Sequence, residues 1–226
     1  MIILKAVKEL SVLRNILYKD LTQSVTVLGG VLHILHNNPC HLELCVDSWP
    51  IFSTVICYRR KQAIINCLPD ICTIFTLSPD TLRTMLLETR IVNWKNGLTF
   101  RGRGTPYLIP VKKHPLKISS LDVSHAELVD RHLPYGGTQE SVSIHHLPNV
   151  CVTQDREQPV SWMLSDELCE LRMAYTFPEY RRSGHLMALS AALMRKVCAM
   201  GLPVYCHVNR ENHPSMTAVT SLSGVP

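Results

Sequence analysis

The chain has 226 residues and a mass of 25.5 kDa, enough for one large domain or two small ones with a buried core. Hydrophobic residues make up 46% and charged residues 18%, a globular balance that excludes a disordered chain. The formal net charge of +5 is local: residues 1–149 hold 16 Lys+Arg against 11 Asp+Glu, and residues 150–226 hold 7 of each. The excess gathers at Arg101–Lys117, where no aromatic platform or reading motif accompanies it, so no nucleic-acid partner is expected.

Nine cysteines (40, 45, 57, 67, 72, 151, 169, 198 and 206) form an odd set without a C-x-x-C pair. With no N-x-S/T acceptor and no secretory pattern, a reduced intracellular compartment is expected. His145-His146 and the group Cys206, His207 and His213 lack the paired spacing of a zinc site, so no metal is expected. No apolar run reaches the ~18 residues of a membrane span.

In chain order, Ile3–Leu21 is amphipathic: Leu4, Val7, Leu10, Leu13, Leu17 and Leu21 mark one face of a core-packed helix. Glu9 and Asp20 set it apart from a cleaved mitochondrial presequence. Ser24–Leu35 is rich in β-branched residues and broken by Gly29-Gly30, which predicts a strand, a bend and a second strand. Asn37-Asn38-Pro39 and Asp47-Ser48-Trp49-Pro50 are turns around Leu42–Val46, an extended or helical piece. Ser53–Tyr58 is a buried strand with Arg59-Arg60-Lys61 as its solvated end. Ser78-Pro79 opens a helix carrying Leu82, Met85 and Leu86 inward, and Ile91–Trp94 closes the block. Arg101–Lys117, with Gly102, Gly104, Pro106, Pro110 and Pro115, is a linker in composition. A capping box at Ser124 and Glu127 starts a helix that Tyr135-Gly136-Gly137 ends. Val150–Thr153 and Pro159–Met163 form a hairpin across Gln154–Gln158.

The stretch Glu170–Gly201 carries the chemistry. Leu171, Met173 and Tyr175 alternate with polar or small residues as in a strand, and Pro178 ends it. Leu186, Leu189, Leu193 and Val197 then mark a helix face, closed by Gly201, with Arg195 and Lys196 complementing the negative helix end. A strand, an Arg181-Arg182-Ser183-Gly184 turn and a helix N-terminus together suit an anion. Exposed amides and the helix dipole attract it, Gly184 lets the backbone approach, and arginines add charge. A pyrophosphate needs this chemistry.

Three consecutive strands, this turn, a helix and a short strand at Pro203–Val208 resemble the GNAT acyltransferase superfamily. There the turn after the fourth strand carries Gln/Arg-x-x-Gly-x-Gly/Ala and cradles the coenzyme A pyrophosphate. The match here is Arg181-Arg182-Ser183-Gly184-His185-Leu186, with Leu186 departing at the last position. SSLDVSHAELV, the following Tyr-Gly-Gly, PVSW, ELRMAYTFPEYR and PVYCHVNRENH, with ILHNNP, VDSWP and IVNWK earlier, resemble the vertebrate glycine N-acyltransferase family over most of the chain.

The resemblance implies an α/β (α+β) fold, a GNAT-like mixed sheet flanked by helices. An N-terminal α/β region would span residues 1–149 and an acyl-CoA-binding domain 150–226. It implies transfer of an acyl group from acyl-CoA, a co-substrate rather than a tightly bound cofactor, to the amine of glycine or glutamine. Glu170 occupies the place of the family's general base. An amino acid's amine is mostly an ammonium at neutral pH and must lose a proton before it attacks a thioester, which a carboxylate can accept. Without the resemblance, Glu170 reads first as a strand carboxylate paired with Arg172 or Arg182. Cys169 falls on the opposite face from Glu170 without a nearby base, which favours direct transfer over a covalent intermediate. Backbone groups at Thr176 and Phe177 would meet the pantetheine, and Asn212 matches the Asn that starts the helix after the fifth strand. Mitochondrial residence is inherited from the family, with the cytoplasm as the alternative.

Two departures accompany the resemblance. Several tens of family residues between the Trp94 region and SSLDVSH are replaced by the linker, and Met216–Pro226 matches no family segment, which predicts an incomplete GNAT core. The competing readings are a GNAT acetyltransferase acting on another amine and a non-catalytic acyl-CoA-binding or interaction protein.

Overall fold

A computed structural model describes residues 1–59, 70–88, 98–101, 116–132, 144–154, 158–209, 211–213, 215–217 and 220. The chain divides into Met1–Gly104 and Thr105–Pro226. The division falls inside the Arg101–Lys117 stretch, so the described residues 118–132 and 144–149 group with the C-terminal half, whereas the expected boundary stood at 149/150. Arg60, Lys61, Ile91–Trp94, residues 102–115, Tyr135-Gly136-Gly137 and residues 155–157 lie outside the described residues.

The first unit contains β1 (Ile2–Leu4), α1 (Val7–Leu17), α2 (Leu21–Leu35), β2 (Leu42–Val46), β3 (Thr54–Arg59), β4 (Asp70–Thr76), α3 (Pro79–Glu88) and β5 (Leu98–Arg101). Its sheet runs β1-β2-β3-β4-β5, antiparallel except for the parallel β4–β5 pair. β3 is buried at every position because helices cover both faces. Thr73 of β4 donates to Thr26 of α2 at 2.7 Å, whereas Met85 of α3 packs with Ile56, Tyr58 and Cys72 from the other side. The α3 start is as expected, with the Thr81 N–H donating to Ser78 Oγ at 3.3 Å.

Three expectations fail in this unit, each for a tertiary reason. Ser24–Leu35 is one helix rather than two strands. Residues 24–33 are buried throughout, and a helix buried on all sides is apolar all round, so it shows no stripe. Its β-branched residues and the glycine pair disfavour a helix by tenths to about 1 kcal/mol each, less than burial returns. The Ser24 hydroxyl donates to Leu17 O and Asp20 O, and burial, with His36 nearby, lowers the His33 pKa to about 4. Arg59 is buried rather than a solvated strand end. The third failure is at the start of the chain, where Ile2–Leu4 pairs with β2 ahead of the helix.

The second unit contains β6 (Ile118–Ser119), α4 (Ala126–Arg131), β7 (Asn149–Thr153), β8 (Pro159–Ser165), β9 (Leu171–Thr176) and α5 (His185–Ala199). Its sheet is antiparallel in the order β6-β7-β8-β9. α5 lies against β7, β8 and β9, with Ser190 beside Met163. The opposite face carries Trp162, Leu164 and Cys151 under Val129 of α4. Both units are thus sheets flanked by helices, the α/β class expected. The cap before α4 differs from the expected Ser124–Glu127 box. Asp122 accepts from the Ser124 N–H at 2.9 Å, and His125 Nδ1 accepts from the Asp122 N–H at 3.0 Å, so the box lies two residues earlier and opens a 3-10 turn.

Asn149 ties these layers together. Its Oδ1 accepts from the Leu121 N–H at 2.7 Å, and its Nδ2 donates to Ile144 O and Leu147 O at 2.9 and 3.3 Å. Lys196 Nζ of α5 donates to Asn149 O and Ser120 Oγ, so this lysine joins the helix to the sheet. Asn149→Ala orphans buried backbone groups and is expected to cost about 1–3 kcal/mol. An unchanged urea midpoint would contradict that role.

Candidate active site

β9 is the spine of the site, with an acidic head and a basic tail. At the head, Asp166 shapes the turn that delivers Glu170. Asp166 Oδ1 accepts from the Leu168 and Glu170 N–H groups at 2.9 and 3.0 Å, and the Asp166 N–H donates to Glu170 O at 2.9 Å. This Asx-type turn, with Cys169 at φ 67°, buries Glu170. Arg172 pairs with Asp166 at 3.5 Å, and Arg182 lies exposed at the far end of β9.

The Glu170 carboxylate instead meets the segment expected as the fifth strand. That segment touches the sheet through one parallel bridge, Glu170 to Tyr205, where the Leu171 N–H donates to Tyr205 O at 2.9 Å. A parallel ladder would continue through the next alternate N–H, that of His207. His207 N donates to Glu170 Oε1 at 3.1 Å, and His207 Nδ1 stands 3.2 Å from the same oxygen. Pro203–Val208 is therefore a single bridge rather than the strand expected, because a side chain takes the place of the next rung.

β9 itself carries an irregularity. Met173 has φ 54°, and the pairing with β8 shifts there, from Trp162 opposite Tyr175 to Leu164 opposite Arg172. One extra residue reverses the face of all that precede it, so the expected alternation through Leu171, Met173 and Tyr175 does not run unbroken.

At the tail, the Phe177 N–H donates to Val160 O at 3.1 Å and Thr176 O accepts from Arg181 Nε at 3.0 Å. The Arg181 guanidinium lies 5.9 Å from the Tyr175 ring centroid. Tyr175 and Phe177 themselves close an aromatic cluster with Trp162 and His132, with centroids 4.6–5.9 Å apart. The chain then turns through Arg182 at φ 63° and Gly184 at φ 79°, and the Ser183 hydroxyl donates to Arg181 O. Gly184 is the cap residue of α5, and the Ala188 N–H donates to its carbonyl. The N–H groups of His185, Leu186 and Met187 precede that first helical bond. The His185 ring is buried against Tyr180, and burial lowers its pKa. Glu170 and Thr176 are six residues apart, about 20 Å of extended strand at most. Asn212, exposed, accepts from the Ser215 N–H at 3.2 Å and caps the helical turn that follows.

Asp166 escaped the sequence reading, and His207 entered it only in the group set aside as a zinc site. The Asp-Glu-Leu-Cys run before β9 is a turn signal by composition, but nothing local couples His207 to a residue 37 positions away.

Comparison with known proteins decides what these elements belong to. The profile of the aralkyl acyl-CoA:amino acid N-acyltransferase family matches residues 1–108, and that of its C-terminal region matches residues 150–226. The chain belongs to this family of acyltransferases. Glycine N-acyltransferase from Bos taurus is 29% identical over 284 positions, covering 100% of this chain and 96% of the relative. The Homo sapiens enzyme of the same name is 28% identical and covers 100% and 95%. Those alignments are longer than the 226 residues here, so the difference in length lies within the aligned span. The fold is shared with a Drosophila protein of known crystal structure, at a TM-score of 0.74 and 15% identity, over 96% of this chain and 92% of that one. Among the described residues, no helix is long and apolar enough to cross a membrane, and no group of three or more His, Cys, Asp or Glu is placed to hold a metal ion.

Within this acyltransferase family, the turn at the tail of β9 lends itself to a direct test. If the turn holds the CoA pyrophosphate, Gly184→Val, which puts a β-branched side chain at a left-handed position, should lower CoA affinity with α5 still formed. Arg181→Ala should cost about 1.5–3 kcal/mol of CoA binding, as for a charge-assisted hydrogen bond. Calorimetry giving wild-type affinity for both variants would remove the turn from the CoA site.

Proposed function

We propose that this protein transfers an acyl group from acyl-CoA to the amine of a small amino acid, glycine or glutamine, by direct attack. Glu170 is the general base. Arg181, Arg182, Ser183, Gly184, His185 and Leu186 cradle the pyrophosphate, the backbone at Thr176 and Phe177 aligns the pantetheine, and Asn212 completes the acyl-CoA site. The observation that carries this reading is the placement of a buried carboxylate at one end of β9 and a basic, amide-rich turn at the other. A CoA arm laid along the strand from that turn would bring its thioester toward the carboxylate. The family name adds the classes of donor and acceptor. Thiolate is a good leaving group, so the remaining work is positioning and stabilising charge on the tetrahedral carbonyl.

The test is release of free CoA by the purified protein from benzoyl-, phenylacetyl- or acetyl-CoA with glycine or glutamine, with the N-acyl product identified by mass. Release that depends on the amino acid supports the reading, and no release from any donor–acceptor pair overturns it. We place the protein in the mitochondrion, following the glycine N-acyltransferases, which subcellular fractionation checks directly.

A further inference from the structure

We propose that His207 is the group that meets the acceptor amine, with Glu170 acting through it as the inner member of a carboxylate–imidazole pair. This rests on the reading of Glu170 as the base. Glu170 Oε1 accepts from the His207 backbone N–H and lies 3.2 Å from His207 Nδ1, within ion-pair distance, so the carboxylate and the imidazole are held side by side. A carboxylate only accepts, so a hydrogen on Nδ1 is the one this contact favours, and that tautomer leaves the lone pair on Nε2. The Glu170 side chain is 4% exposed and the imidazole 23%, so the imidazole is the part of the pair open to an incoming substrate.

The titratable neighbours support this direction of transfer. Tyr205, on the same segment, sets its ring edge-on to the imidazole at 5.5 Å and donates its hydroxyl to Leu168 O. Burial, with the Glu170 charge adding to it, pushes the adjacent Cys206 thiol up to about 11, so it stays a thiol. Behind Glu170, Asp166 is matched by Arg172. A proton gained at Nε2 is therefore balanced by Glu170.

In the reaction, the acceptor ammonium gives one proton to Nε2 and becomes an amine. Its lone pair forms the C–N bond as the C–S bond breaks, and the surplus proton on the new amide nitrogen goes to the CoA thiolate. The imidazolium, held by Glu170, then releases its proton to solvent.

The experiment compares kcat/KM for the acceptor across pH 5.5–9 in the wild type, Glu170→Gln, His207→Gln and the double variant, with acyl-CoA affinity as the check on folding. His207→Ala is assayed with and without added imidazole. The proposal expects His207→Gln to lose about as much rate as Glu170→Gln, within the 10²–10⁴-fold span of a positioned base, and to lose the acid limb of the profile. The double variant should be no worse than the poorer single, and imidazole should restore part of the His207→Ala rate. A His207→Gln rate within about threefold of wild type, beside a crippled Glu170→Gln, overturns the proposal and leaves Glu170 as the direct base. Wild-type rates in both single variants overturn the reading of Glu170 itself. Equal loss of acyl-CoA affinity and rate in His207→Gln, with no imidazole rescue, makes His207 structural and also overturns the proposal.

Discussion

Glu170→Gln is expected to lower turnover by about 10²–10⁴-fold while leaving acyl-CoA affinity close to wild type. The substitution keeps the shape of the side chain, so the His207 backbone N–H retains an oxygen to meet, and the Asp166 turn, which binds the Glu170 backbone, is untouched. What it removes is the negative charge and the capacity to hold a proton. The separation of effects follows from the strand: CoA is to be held at the turn beyond Thr176, and Glu170 stands six residues before it. Activity should recover partly at high pH, where more of the acceptor is already an amine. Single-turnover rates and calorimetry on the same preparation make the comparison. A variant that turns over at the wild-type rate between pH 7 and 9 removes Glu170 from the chemistry.

Trp162→Ala is expected to destabilise the second unit by about 3–5 kcal/mol, a large share of the ~5–15 kcal/mol that holds a typical domain. Trp162 is wholly buried and packs with Leu121, Val129, Ile144, Cys151 and Leu164. It also stacks on Tyr175 at 5.0 Å and meets His132 and Phe177 edge-on. Truncation leaves a cavity beneath both α4 and the tail of β9. Trp162→Phe should be much milder. It keeps an aromatic ring, and the indole N–H it deletes has no hydrogen-bond partner among the described residues. Denaturant midpoints of the two variants decide the matter. A small shift for Trp162→Ala would mean that this core collapses around the gap.

The tail of the site was legible because its signals are local. Gly184 is the residue type that a left-handed cap tolerates, and it caps α5 at φ 79°. The apolar face of α5 follows from spacing, and Leu189, Leu193 and Val197 are all fully buried. The hairpin of β7 and β8 and the turns at Asn37–Asn38 were likewise written in turn residues and alternation. The same rules misread α2, since a helix buried on all sides loses the period that marks a helix. They also passed over β4 and β5, one side of a sheet assembled from pairing partners rather than from any one segment's pattern.

By itself, the sequence determined the family, the turn that ends β9, the helix behind it and the residue type expected of a base. These depend on short-range preferences and on segment words that survive without a three-dimensional frame. Only the tertiary structure decided which partner each charge takes. Arg172 goes to Asp166, Glu170 goes to His207, and the Met173 bulge sets which face of β9 each side chain occupies. Those pairings join residues up to 37 positions apart, and the physical reason is closure of the sheet edge. One bridge at Tyr205 brings two distant segments together, and the carboxylate then competes successfully for the N–H that a regular strand would have given to its neighbour's carbonyl.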